Sequence, residues 1–396
     1  MPYRRWTRLL AATLPSLGLL GAAAVEAQRG LTLASFPPLP DRRLPGLSIV
    51  VAARDEAGSV TQALNSLLDQ DYPDLEVVFV NDRSSDGTGE LADAVKASHP
   101  RADRLTVIHN QELPDGWLGK VHALHRGVKA TRHPLVLLTD ADIHFSHDAL
   151  RRAVTAQQVL GADHLAAAPR FEAQGFWEPV LVAYFFVLFA ARFQPSAVHR
   201  KKERFVGVGA FNMVRREKLE EMGWLEPLRL QVVDDLHLGR MVKARGYRQF
   251  ALLARDAISV RWFCGLMGVV RGLEKNAYAG LNYRWDYALA AALVSAWPLW
   301  TLALIASYAS PAWALAWYGF QVGVGGLAAH ATGVPRWAGV GFPLAGPILG
   351  FTMLRSAWLA EGRGAVVWRG TSYALADLRQ AHQSFVEREA LVLRQT

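Results

Sequence analysis

The chain has 396 residues and a formal net charge of +8, with 51% apolar and only 20% charged residues. That composition excludes a disordered, solvating chain, which needs low hydrophobicity and high net charge, and a single cysteine, Cys264, excludes an internal disulfide framework or a cysteine-built zinc or iron–sulfur site. The basic balance suits anionic membrane surfaces or phosphate-bearing substrates, and nucleic acid is not expected as a partner.

In chain order, Arg4, Arg5 and Arg8 precede an apolar run over residues 9–25, with small residues around Ala27. This is the grammar of a cleaved signal peptide and of a membrane anchor alike, so residues 1–30 are expected to form an anchor or signal-like helix. A proline-rich connector over residues 36–40 follows.

From residue 44 to 286 strand and helix signals alternate. Residues 47–53 (LSIVVAA), 75–80 (LEVVFV), 105–109 and 134–139 (PLVLLT) are short apolar runs of the kind buried in a parallel sheet. Between them, Ser59 offers an N-cap to a helix carrying Val60, Ala63, Leu64, Leu67 and Leu68. Asp86-Gly87 opens a second helix, and residues 120–130 form a third. The alternation implies βαβ units and a mostly parallel sheet, with ligands outside the carboxyl ends of the strands.

Those strand ends carry acids rather than a phosphate cradle. No G-x-G-x-x-G follows the first strand, and no P-loop occurs. The first loop, residues 53–58 (ARDEAG), is acidic, so a bound diphosphate would need a divalent cation such as Mn²⁺ or Mg²⁺ to offset the charge. Asp140 and Asp142 share one side of an extended segment and can face one site; a solvated turn is the plain alternative. Asp234 and Asp235 stand at a helix start, where the dipole favours them and where one of them could serve as a general base.

Residues 176–193 are almost wholly apolar and aromatic, too much so for an exposed helix. They suit a core helix, a membrane-surface helix, or both, with membrane surface favoured. The basic run 200–204 (RKKER) suits lipid headgroups. Residues 287–335 contain no Asp, Glu, Lys or Arg, and the apolar run resumes over 337–354. Two spans broken near Ser310-Pro311 and a third, kinked or re-entrant at Pro343 and Pro347, are expected within residues 287–360, with tryptophans near the ends. Residues 361–396 remain as a tail.

Together, residues 47–58 (LSIVVAARDEAG), 80–87 (VNDRSSDG), 116–124 (GWLGKVHAL), 139–143 (TDADI) and 233–238 (VDDLHL) follow the order seen in glycosyltransferase family 2, which the chain resembles over roughly residues 47–246. It looks most like the membrane-bound lipid glycosyltransferases, the ceramide glucosyltransferase-like and hopanoid- or carotenoid-associated branch. The resemblance implies an α/β GT-A domain over residues 44–286, between an N-terminal hydrophobic helix and a C-terminal membrane bundle. It implies that Asp55, Glu56, Asp82, Lys120 and Asp140 bind the nucleotide, and that Asp142, with Asp140, holds the metal. Asp235 matches the catalytic base, and Asp234 its partner. Residues 206–216 (VGVGAFNMVRR) resemble the strand bordering donor and acceptor, with Gly207 and Gly209 keeping that wall open. The family's Q/R-x-x-R-W is incomplete here, so Arg261, Arg271, Lys275 and Arg284 all stand as candidates for the diphosphate. Residues 366–373 (VVWRGTSY) resemble a C-terminal motif of the same branch.

The implied activity is inverting transfer of a sugar from a nucleotide-diphosphate donor, a UDP-sugar first, to a membrane lipid hydroxyl. The protein is then integral to the cell (inner) membrane with its catalytic domain cytoplasmic. The arginines before residue 9 favour a cytoplasmic N-terminus, so the first helix either runs against them or lies in the interface. A membrane transport or scaffold protein with an inactive domain is the alternative; it would not need acids at successive strand and helix ends. A soluble nucleotidyltransferase would leave the apolar C-terminal segments unexplained.

Overall fold

The computed structural model describes residues 28–395 and, before them, residues 17, 18, 21, 25 and 26. The expected hydrophobic helix over residues 9–25 lies mostly outside the described residues. The chain divides into two compact units. One comprises Met1–Gly30, Phe171–Gln194 and Arg261–Val366; the other comprises Leu31–Arg170, Pro195–Val260 and Val367–Thr396. The tail after the apolar segments therefore belongs to the α/β unit.

The strands in chain order are β1 (Leu31–Thr32), β2 (Leu47–Ala53), β3 (Leu75–Asp82), β4 (Leu105–Asn110), β5 (Leu135–Asp140), β6 (Ile143–Phe145) and β7 (His164–Ala168). They continue as β8 (Arg170–Phe171), β9 (Asn212–Arg215), β10 (Gln249–Leu253), β11 (Ile258–Val260), β12 (Ala365–Trp368) and β13 (Thr371–Ala374). Eight of them make one sheet in the order β1-β10-β7-β9-β5-β2-β3-β4. Its pairings are parallel except at β9, which runs antiparallel to both β5 and β7. All of β3 is buried, and so is β2 except at Ala52, as strands covered on both faces must be. The α/β expectation holds, as does its mostly parallel sheet.

Register positions the site. Ala52 pairs with Asp140, Ala53 with Asn81, and Asp82 with Asn110. The carboxyl ends of β5, β2 and β3 thus lie side by side, and the acidic loop after β2 emerges between Asp140 and Asp82. The helix Val60–Leu68 buries the five apolar residues expected of it. Ser59 takes the N-cap position without capping: its hydroxyl turns to the Glu56 carbonyl, 3.3 Å away. Residues 206–211 are not strand, because β9 begins only at Asn212; β9's partners β5 and β7 end their pairing with it at Leu138 and Ala166.

The other unit is helical. Its helices include Trp177–Phe193, Gly265–Gly280, Trp285–Ser295, Trp297–Tyr308, Pro311–Thr332 and Phe342–Arg363. Two segments, Trp177–Ala197 and Arg336–Arg363, are long and apolar enough to cross a membrane, and the pair Trp285–Ser295 and Trp297–Tyr308, bent by 49°, makes a third if taken as one span. The expected first span is therefore bent near Ala296, one residue before Trp297-Pro298, as well as ending before Pro311. The helix Phe342–Arg363 runs unbroken through Pro347.

One side of the run 176–193 packs within its unit: Leu181, Tyr184 and Val187 are buried together with Phe342, Ala345 and Leu349, while Phe185, Phe186 and Phe189 are half-buried. Tyr184 and Phe342 rings lie 4.7 Å apart. Small residues let the neighbouring helices approach, and a Cβ on Gly346 would collide with the Ser295 carbonyl oxygen. Gly346→Val should therefore destabilise this unit by about 1–3 kcal/mol, the usual cost of overpacking. Gly319→Ala, which meets nothing within 4 Å, should not. Thermal unfolding in detergent reads the difference.

Candidate active site

Two groups of polar side chains gather at the carboxyl edge of the sheet. The first is the loop after β2. Asp55 holds a left-handed backbone, φ 55°. Its amide donates to Ser84 Oγ (3.0 Å), and its Oδ1 accepts from the Ser85 amide (2.9 Å). The Glu56 amide donates to Thr88 Oγ1 at 2.8 Å, and the Ala57 amide to Asp86 Oδ2 at 2.9 Å. The acidic loop is stitched in this way to the loop after β3. Asp82, at the end of β3, is buried, and both its oxygens accept from Arg83 (3.0 and 2.9 Å). Gly119 leaves the room this needs, since a Cβ there would overlap the Asp82 carboxylate.

The second group is built across the antiparallel strand's approach. Lys120 Nζ lies 2.7 Å from Asp140 Oδ1 and 3.8 Å from Asp234 Oδ2. Asp234 and Asp235 occupy the first turn of the helix Asp234–Ala244. Asp235 Oδ2 accepts from the Gly209 amide, and Oδ1 from the Leu236 amide, each at 2.8 Å. A Cβ on Gly209 would lie 2.7 Å from Asp140 Oδ2 and 3.7 Å from Asp235 Oδ2, so bare backbone is what lets these two carboxylates converge. Gly207 serves a different end from the open wall expected of it: a Cβ there would overlap the Asp235 carbonyl. Lys120, Asp140, Gly209, Asn212, Asp234 and Asp235 line one small cavity.

Charge is crowded here. Burial pushes the Asp235 carboxyl up to about 6, Asp234 adds to the shift, and Lys120 partly opposes it. Burial likewise pushes Asp142 up to about 7, reinforced by Asp140 and Glu56. Burial also raises Glu56, against the pull of Arg369. For Lys120, burial lowers the ammonium's pKa, but Asp140, Asp234 and Asp235 outweigh it and hold the group charged. Among the described residues no group of three or more His, Cys, Asp or Glu is arranged to hold a metal ion unaided. The hard oxygen donors Asp140 and Asp142, uneasy as paired anions, fit a cation whose remaining ligands come from a bound phosphate.

The diphosphate candidates belong to the other unit. There Arg261 donates to Gln174 at 3.0 Å, and Arg284 pairs with Asp286 at 2.5 Å. Arg271 and Lys275 lie on the helix Gly265–Gly280. Residues 366–373, a motif without an assigned role, reach the acidic loop. Arg369 pairs with Glu56 and donates to the Asp55 carbonyl at 3.2 Å; Thr371 accepts from Arg54 at 3.0 Å; the Tyr373 hydroxyl accepts from the Gly119 amide at 3.1 Å. The only available signal was the W-R-G-T-S-Y pattern itself.

The model of the family described as "Glycosyltransferase like family 2" matches residues 45–286. The chain belongs to this family. Among curated relatives, the poly-beta-1,6-N-acetyl-D-glucosamine synthase of Staphylococcus epidermidis is 30% identical over 108 residues, 27% of this chain and 24% of that protein. Ceramide glucosyltransferase 1 of Caenorhabditis elegans is 22% identical over 215 residues, 52% of this chain and 44% of that one. The chain thus spans less than half the length of either relative. Among solved structures, the mannosyltransferase PcManGT from Pyrobaculum calidifontis, in complex with GDP-Man and Mn²⁺, superposes with a TM-score of 0.50 at 21% identity, covering 90% of this chain and 98% of that one. That likeness shows the GT-A fold.

Within this family 2 domain, the close approach at Gly207 carries a direct consequence. Gly207→Ala must push the first turn of the helix Asp234–Ala244 away, because the atom it meets is backbone and cannot rotate aside. We expect a loss of about 1–3 kcal/mol in stability. Gly58→Ala, in open space, should be near neutral in the same unfolding measurement.

Proposed function

We propose that this protein is an inverting glycosyltransferase that moves a sugar from a nucleoside-diphosphate donor, a UDP-sugar first, to a hydroxyl of a membrane lipid. The observation that carries the reading is the convergence of Asp140 and Asp235 across the bare backbone of Gly209. One carboxylate belongs to the D-x-D at a strand end and the other to a helix start, so a donor-side acid and an acceptor-side acid share one cavity.

On this reading, Asp55, Glu56 and Asp82 border the nucleoside, and Lys120 turns from Asp140 towards donor phosphate. A divalent cation, Mn²⁺ or Mg²⁺, held by Asp142 and Asp140, would offset charge on the departing diphosphate. Asp235 takes the proton from the acceptor hydroxyl as its oxygen attacks the anomeric carbon. Its raised proton affinity suits that task, since a base works best with a pKa near the operating pH. Asp234 orients the helix start and shares Lys120 with Asp140. The apolar helices Trp177–Ala197 and Arg336–Arg363 support a lipid acceptor and an integral, inner-membrane location with the α/β unit on the cytoplasmic side, where nucleotide sugars are made. The complex of the PcManGT mannosyltransferase with GDP-Man and Mn²⁺ supports a sugar-nucleotide donor and the metal.

The test is detergent-solubilised full-length protein incubated with Mn²⁺, a panel of UDP- and GDP-sugars and total lipid, with nucleotide release measured and lipid products read by mass spectrometry. No donor-dependent nucleotide release, or release with no lipid product, would sink the proposal. Asp142→Ala should abolish metal-dependent turnover and weaken donor binding. Asp235→Asn should lower kcat by about 10²–10⁴-fold with donor affinity almost unchanged, and Asp234→Asn should do less. Because Asp235 must be ionised to act, wild-type kcat should fall as pH drops through about 6. A flat profile there, or an inactive Asp234→Asn beside a near-normal Asp235→Asn, would reassign the base.

A further inference from the structure

The last segment of the chain follows the apolar helices in sequence yet belongs to the α/β unit. We propose that this strap, residues 367–395, is a two-point clamp. One point fixes the donor loop through Arg369, and the other fixes the helix carrying the base through Glu389. The proposal rests on the assignment of residues 54–58 to the donor and of Asp235 to the base, and it makes Arg369 and Glu389 positioning residues that touch neither substrate.

The first point is a hairpin. Strands β12 and β13 are joined by two residues, Arg369 and Gly370, with φ of 47° and 76°. A two-residue loop with positive φ at both positions is the type I′ geometry, for which Asn-Gly is the usual sequence. An arginine held there carries backbone strain. The strain has a local counterpart: the guanidinium pairs with Glu56 and donates to the Asp55 carbonyl at 3.2 Å. Asp55 is itself left-handed at φ 55°. Two strained residues thus hold each other in place. Thr371 and Tyr373 add the bonds to Arg54 and to the Gly119 amide, so the hairpin spans the acidic loop and the start of the helix bearing Lys120.

The second point is the helix Leu375–Gln395, which packs along the helix Asp234–Ala244. His382 bonds Gln231 at 3.1 Å, and His237 meets the rings of His382 and Phe385 at 5.2 and 4.9 Å. His237 lies in the same first turn as Asp235. At the far end Glu389, only 1% exposed, pairs with Arg245 at 2.7 Å and with Arg388 at 3.1 Å. A buried carboxylate–guanidinium pair is weak as a source of stability, because desolvation offsets most of its attraction. What it supplies here is a fixed register between the two helices, from which the carboxylate of Asp235 takes its direction.

The experiment uses full-length protein in detergent and reads two things for each variant: donor and acceptor kinetics, and amide hydrogen exchange by segment. Arg369→Asn keeps a residue that accepts positive φ but removes the guanidinium. It should speed exchange over residues 54–58 and raise the donor KM about tenfold, with kcat little changed. Glu389→Gln should speed exchange at the end of the helix Asp234–Ala244, beside Arg245, and lower kcat by about 10–10²-fold, as misplaced reacting groups do, with the donor KM unchanged. Exchange across β3 serves as the control for global unfolding. Should Glu389→Gln unfold, Glu389→Asp, which keeps the charge with a shorter reach, is read in its place. Exchange that changes at neither segment, or equally across the whole unit, overturns the clamp. Segregated exchange with kcat untouched by Glu389→Gln upholds the clamp and overturns the assignment of Asp235.

Discussion

The site depends on holding several like charges together around one ammonium. Asp140, Asp234 and Asp235 surround one ammonium, Lys120, and Asp140 and Glu56 both raise the proton affinity of Asp142. A single cation among several acids leaves the cluster short of positive charge. That shortage disfavours the folded ionised state, and a ligand bringing a divalent cation relieves it. The same deficit acts on Asp235: burial and Asp234 push its carboxyl up, Lys120 pulls it down, and the balance leaves it at about 6. Lys120 is therefore the positive charge that Asp140, Asp234 and Asp235 share.

Such crowding is sustained by the sheet. The order β9-β5-β2-β3 places four chain segments at one edge, although they come from residues as distant as Asp82 and Asn212. Parallel strands deliver their carboxyl ends to the same side, and β9, entering antiparallel, delivers its amino end there instead. This is why Gly207 and Gly209, which precede β9, reach Asp140 and Asp235. The close approaches at Gly207, Gly209 and Gly119 then remove the side chains that would hold these acids apart.

Much of this was legible in the sequence, and the reason is local. Strands such as residues 47–53 and 75–80 are continuous apolar runs, and an aspartate at the end of such a run marks a strand end without further information. The family resemblance carried the order of the motifs, and the parallel sheet followed from the alternation. Ser59 stands at the N-cap expected of it but does not cap, because its hydroxyl donates to the Glu56 carbonyl instead of accepting from the helix amides. Nor could sequence spacing show that Arg369 meets Glu56 or that Tyr373 meets Gly119, contacts separated by 313 and 254 residues. Apolarity likewise identified residues 176–193 as unusual, yet only packing shows that Tyr184 and its neighbours sit with Phe342 in a helical core.

The two units are interleaved along the chain, and this constrains how the site is made. Synthesis proceeds from the N-terminus, and domains generally fold as units in that order. Here the acidic loop, the D-x-D and the base all precede residue 261, whereas their partners Arg369, Thr371, Tyr373 and Glu389 follow the apolar helices. The sheet can form once β10 is made. The acidic loop and the helix Asp234–Ala244 gain their last contacts only after the helix Phe342–Arg363 has been synthesised. Contacts of such long sequence separation carry a large loop-closure cost before they contribute anything. These contacts tie the acidic loop and the helix Asp234–Ala244 to residues made last, whereas every strand of the eight-stranded sheet has been made by β10.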